Sequence, residues 1–193
     1  MSFSFIEQII LLVLILVSIG SFSFELFKRF AIVSKGTGTF EFNSLGIRIK
    51  RVLVEFILQK KVISQRFWPG LMHAFVFWGF MFFSIITIDH FSLGFHAHLL
   101  SDNFKFFYGI LFGVPWAIFV LIGITSLAYR RFIIRPKYLG DKISYTSGFV
   151  ALFISVLMIT YIIDYAYVGH HSTSLAMKIN WWIHAILILG FLI

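Results

Sequence analysis

The stretch from Phe67 to His90, FWPGLMHAFVFWGFMFFSIITIDH, sets the strongest limit on what this chain can become. A run of this length and apolarity crosses a bilayer, because about 20 residues at ~1.5 Å rise cover the ~30 Å hydrocarbon core. A histidine stands near each end, with almost nothing polar between. An imidazole inside a span is costly without a partner, so it marks a functional site by default. The partner this pattern favours is haem iron.

Four further apolar runs accompany this one. The first span covers about 3–27 and lacks the basic n-region and small-residue cleavage site of a signal peptide, so it reads as uncleaved. The third covers about 105–129, with Pro115 inside it as the expected kink. Gly109 and Gly113, four residues apart on it, suit close helix approach. The fourth covers about 144–168. The fifth opens near Ile179 with Trp181 and Trp182 and runs to Ile193, about 22 Å of helix against a ~30 Å core. The expected fold is therefore an all-α polytopic membrane bundle of five helices, the last cut short in a fragment of a longer protein. With 60% hydrophobic and 12% charged residues, no soluble second domain is expected.

Of the sixteen Lys and Arg residues, fourteen lie in two loops, 28–66 and 130–142, while Lys105 and Lys178 lie on the other side. The net charge of +8 thus follows membrane topology rather than nucleic-acid binding. By the positive-inside rule the N-terminus faces out and both basic loops face the cytoplasm of a bacterial or archaeal cell. Within 28–66, the piece 44–63 mixes apolar and basic residues, as a helix lying in the headgroup plane would. Cysteine is absent, which excludes thiolate-held iron–sulfur clusters and c-type haem attachment within these residues.

Depth then sorts the histidines. His73 is about 10 Å in from the basic side, and His90, 17 residues on, is about 25 Å further along the axis. His184 is about 9 Å in from the opposite face. His90 and His184 share one half of the membrane and are candidates to hold one haem between them; His73 has no histidine at its own depth. His73 and His90 also differ by about 100° around an ideal helix, so a shared neighbour requires helix two to bend, with Gly79 as the place for it. His96, His98, His170 and His171 fall in outer loops, the last two in reserve as ligands. Asp89 and Asp164, near the outer ends of their spans, are candidates to relay protons or to orient an imidazole.

Gly70-Leu-Met-His73, Phe77-Trp78-Gly79-Phe80, Thr87-Ile-Asp-His90, the Arg130-Arg131…Arg135-Pro136-Lys137 loop and Trp181-Trp182-Ile-His184, in this order, resemble the nitrate reductase gamma-like membrane domain. The likeness is to the form that precedes cysteine-rich iron–sulfur domains related to heterodisulfide reductase. The resemblance implies a bundle with two b-type haems, exchanging electrons between membrane quinone and a cytoplasmic iron–sulfur domain or subunit. It implies that His73 ligates the cytoplasm-side haem, and His90 with His184 the outer one. Lys105 takes the place of a basic residue near the family's quinol site. Lys105 is thus a candidate to hydrogen-bond a quinone oxygen, and Asp89 a candidate to pass a proton.

The expected function is electron transfer within a quinone-linked respiratory oxidoreductase, with membrane lipid, quinone and an iron–sulfur partner as its contacts. Two alternatives differ in class. A non-redox membrane anchor would use the same histidines for interhelical hydrogen bonds. A small transporter would want charge at mid-membrane, which these spans lack.

Overall fold

The computed structural model describes residues 3–38, 43–139, 144–166 and 174–193, and every regular element among them is helical. Helix α1 is Phe5–Val33, closed at its start by a capping box in which Ser4 and Glu7 bond each other's backbone. Helix α2, Leu45–Arg51, widens into a π-helical turn over Val52–Ile57, and α3 is the short Lys60–Gln65. Helix α4 is Phe67–Gly94 and α5 is Asp102–Ile134. Helix α6 is Tyr145–Ala166 and α7 is Leu175–Gly190.

Four helices, α1, α4, α5 and α6, are long and apolar enough to cross a membrane, which is consistent with a membrane protein. Helix α7 is equally apolar but has 16 residues, about 24 Å. It begins four residues before the expected start, because the Ser174 hydroxyl accepts the Met177 N–H and caps it.

The main bundle is built by α4 on α5, α5 on α6 and α6 on α7, with α1 laid against α7. Its core is Phe83, Ile86, Ala117, Val120, Ile154, Leu157 and their neighbours. Most of α1 is exposed, as suits a helix whose outer surface meets lipid; only Leu11 and Ser18 are buried along it. Its start is tied down instead: Glu7 pairs with Lys178 at 2.7 Å, and the Phe3 carbonyl lies 3.0 Å from His96 Nε2. Phe3 itself packs on Trp181.

Helix α5 departs from the simple span expected. It runs on past both predicted ends, and its turns widen to π geometry over Lys105–Gly113 and again over Arg130–Ile134. Pro115 falls at the start of the regular stretch that follows the first wide segment. Proline has no N–H to give and crowds the carbonyl four residues back, and wider turns before it relieve both problems. Gly109 and Gly113 face α6, where a Cβ would collide with the rings of Tyr165 and Tyr161. Close approach is thus real, and its purpose is to seat two tyrosines.

The basic segment 44–65 is helical and exposed, and it folds back along α4. Trp78 Nε1 donates to the Ile57 carbonyl at 2.7 Å, and Phe56 meets Phe77 edge-on at 5.1 Å. Helix α4 has 28 residues and is about 42 Å long, well over the ~30 Å core.

Candidate functional site

At the end of the bundle opposite the basic loops, α1, α4, α5, α6 and α7 enclose a cavity of about 1070 Å³. Ligand pockets commonly measure about 300–1,000 Å³, so this one takes a large molecule. Its wall is mainly apolar, with Phe80, Phe83, Ile110, Leu157 and Ile188 among the lining side chains. Besides Ser84, Thr87, Asp102 and Asn103, its polar groups fall into two sets.

The first set is the histidine pair. His90 on α4 and His184 on α7 both line the cavity, with ring centroids 4.9 Å apart. The depth argument brought these two together, and the structure does the same. His90 stacks on Trp181 at 4.7 Å with planes 13° apart. His90 Nε2 and Trp181 Nε1 are both buried with no hydrogen-bond partner among the described residues. Orphaned polar atoms of this kind are rare in folded interiors and call for an explanation.

His184 is held differently. Its Nδ1 lies 2.7 Å from Thr160 Oγ1, and that hydroxyl also reaches the Val156 and Leu157 carbonyls at 3.0 and 2.9 Å. A threonine has one hydroxyl proton. If a helix carbonyl takes it, the oxygen accepts from Nδ1–H, and Nε2 of His184 is left with its lone pair free. That tautomer is the one a metal ligand needs.

The second set is ionic. Asp89 is buried, with Oδ2 3.0 Å from Lys105 Nζ and Oδ1 accepting the Leu100 N–H at 2.9 Å. Both predicted residues therefore sit on the cavity wall, paired with each other. The wide turns of α5 begin at Lys105 and bring it over α4. Asp164 lines the same cavity and makes no hydrogen bond or ion pair with any described residue. Tyr161 and Tyr165 stand beside it on α6; the Tyr161 hydroxyl donates to the Gly109 carbonyl at 3.2 Å. Asn180 also lines the cavity and gives its amide proton to the Thr160 carbonyl at 2.9 Å, tying α7 to α6 beside the histidines.

His73 does not join this site. It is exposed on the first turns of α4, away from the cavity. His96 serves the Phe3 carbonyl, and His98 is exposed. His170 and His171 lie outside the described residues. Trp181, at the opening of the fifth apolar run, is 3% exposed and forms the floor under His90. Thr160 was not singled out by sequence; a hydroxyl four residues before Asp164 carried no signal of its own.

The residues present fit a haem in donor type. His90 offers an unpartnered buried nitrogen, His184 an oriented one, and the cavity lies against both. With their centroids 4.9 Å apart the two rings would have to part to admit a group between them.

Comparison with known proteins gives one distant likeness. The chain is 28% identical over 159 residues to the EtfAB:quinone oxidoreductase of Syntrophomonas wolfei subsp. wolfei. The match takes in 79% of this chain and spans 21% of that protein's length. No family model matches the chain, and no solved structure matches it.

Proposed function

We propose that this chain is the membrane part of a quinone-linked oxidoreductase and passes electrons between quinone and a cytoplasmic iron–sulfur partner through haem b. The single observation that carries this reading is the convergence of His90 and His184 on one large apolar cavity that also holds Lys105 and Asp164. The distant relative, a quinone oxidoreductase, supports the quinone link. The resemblance to nitrate reductase gamma-like domains supports the haem and a five-span arrangement with the N-terminus outside.

A bound haem would supply one-electron chemistry with a potential set by its axial ligands and surroundings. His90 and His184 would hold it in this reading. Thr160 fixes the ring of His184, and Trp181 fixes that of His90. A second haem at His73 needs an axial partner from outside the described residues, since nothing described meets that ring.

Quinol would bind at the polar end of the same cavity. Lys105, an ammonium already steadied by Asp89, donates a hydrogen bond to a quinol oxygen. Asp89 has both oxygens engaged and holds Lys105 in place. Of the other two carboxylates on the wall, Asp102 is exposed and Asp164 half-buried, and in this reading Asp164 accepts the hydroxyl proton: the quinol O–H bond breaks and the Asp164 O–H bond forms. Lys105 then faces the resulting oxyanion.

The test is a reduced-minus-oxidised spectrum of the full-length protein with a pyridine extract for haem type. A b-type α-band whose outer-haem component His184→Ala removes supports the reading. A colourless protein ends it, and the non-redox anchor takes its place.

A further inference from the structure

We propose that the basic end of the bundle holds an anionic phospholipid, its phosphate on the guanidiniums of Arg66 and Arg130 and one acyl chain in the cleft between α4 and α5. This site is separate from the cavity at the histidines and independent of any redox role.

The cleft follows from how two helices part. Gly123 of α5 packs so tightly on α4 that a Cβ there would strike the Met72 carbonyl. Toward the basic end the same two helices leave between them a cavity of about 440 Å³. Its wall is Pro69, Met72, Leu127 and Ile134, an apolar trough of the kind a hydrocarbon chain fills. Thr125 and Ser126 add hydroxyls, and Arg130 stands at the rim. Trp68 and Tyr129 flank the opening, 70% and 58% exposed, as aromatic side chains at a headgroup boundary are.

The charge at the rim is arranged, not scattered. The 3₁₀ turn Lys137–Leu139 carries Tyr138 back over the ends of α4 and α5. The Arg66 guanidinium lies 3.6 Å above the Tyr138 ring, and Arg130 donates to the Tyr138 hydroxyl. One neutral ring therefore holds two cations close together. Among the described residues no carboxylate pairs with either of them. Two guanidiniums brought together without an acid suit a phosphate, which matches their planar donor fork. Basic pockets between membrane helices on the cytoplasmic side are sites for acidic headgroups for the same reason. A free phosphate would leave the trough empty, and a neutral lipid would leave the cations unmatched. An anionic phospholipid satisfies both halves.

The experiment is native mass spectrometry of the full-length protein released from nanodiscs holding equal amounts of dioleoyl phosphatidylglycerol and dioleoyl phosphatidylcholine. The natural sequence retains one phosphatidylglycerol with a preference of about tenfold or more, as two basic groups near an anionic headgroup imply. The double variant Arg66→Gln/Arg130→Gln reduces the preference to about twofold, and Arg66→Lys/Arg130→Lys keeps an intermediate value because ammonium lacks the fork. Ser126→Trp fills the trough with both guanidiniums intact and also lowers retention. Equal retention of the two lipids by the natural sequence overturns the proposal. So does undiminished phosphatidylglycerol retention in the glutamine variant or, should that variant not fold, in Ser126→Trp.

Discussion

His90 and His184 approach across the cavity to 4.9 Å between ring centroids, one ring lying flat on Trp181 and the other bonded to Thr160. Neither ring is free to turn, yet one keeps a buried nitrogen without a partner. Two immobilised imidazoles that do not satisfy each other are arranged for a third group.

Thr160→Val tests the orienting bond. It removes the hydroxyl and keeps the shape. Supporting contacts of this type commonly change metal affinity or activity about 10- to 100-fold. The expected outcome is a b-type signal still present but easier to strip of haem and shifted in midpoint potential, measured by redox titration of the full-length protein. His184→Ala should remove the outer-haem component of that signal outright.

The two carboxylates should separate by phenotype. Asp89→Asn leaves the half-buried Lys105 cation facing a neutral amide; breaking one side of a fully buried pair costs about 3–5 kcal/mol, and this partly exposed one less. Thermal unfolding in detergent should show the loss, and Asp89→Asn/Lys105→Met should recover much of it. Asp164→Asn removes no described bond, so stability should stay nearly unchanged. Quinol turnover should instead fall about 10²- to 10⁴-fold, the usual contribution of a positioned base. A stable Asp89→Asn protein with lost turnover would reverse the two roles.

Packing gives a third expectation. Gly113→Ala places a methyl against the Tyr161 hydroxyl, and overfilling a close-packed contact costs about 1–3 kcal/mol. Gly38→Ala, where a Cβ meets nothing nearby, is the control, and the two melting curves should differ accordingly.

Outside the spans, Tyr138 offers a titration. The hydrogen bond from Arg130, aided by the charges of Arg130 and Arg66, holds its phenol below the ordinary value near 10. The sign follows: the ionised phenol is favoured in the folded state. The contribution to stability is thus fully present above the ordinary value and is lost as pH falls through the lowered one. Arg130→Gln should move the titration upward, read by NMR of labelled tyrosine carbons.

The spans were legible because apolar length is a one-dimensional quantity. Their ends were less so. Asp102 and Arg130 look like loop residues, yet α5 carries both in helix, Asp102 behind the Ser101 cap and Arg130 where the last turns widen. Depth along the axis paired His90 with His184. Depth says nothing of direction around a helix, which is why His73 could be placed by level and still turn outward. Trp181 shows a different limit. An indole at the start of a span reads as an interface anchor, and only the neighbouring ring reveals that it is a floor.

The wide-turned segment Lys105–Gly113 sets a register. A single residue deleted there, with the turns kept wide, would rotate everything before the cut by roughly a quarter turn. Lys105 would swing off the cavity and leave Asp89 behind, although no functional side chain had been altered. In this stretch the number of residues, as much as their identity, decides which way a cation points, so length variation there would switch the polar end of the cavity on or off.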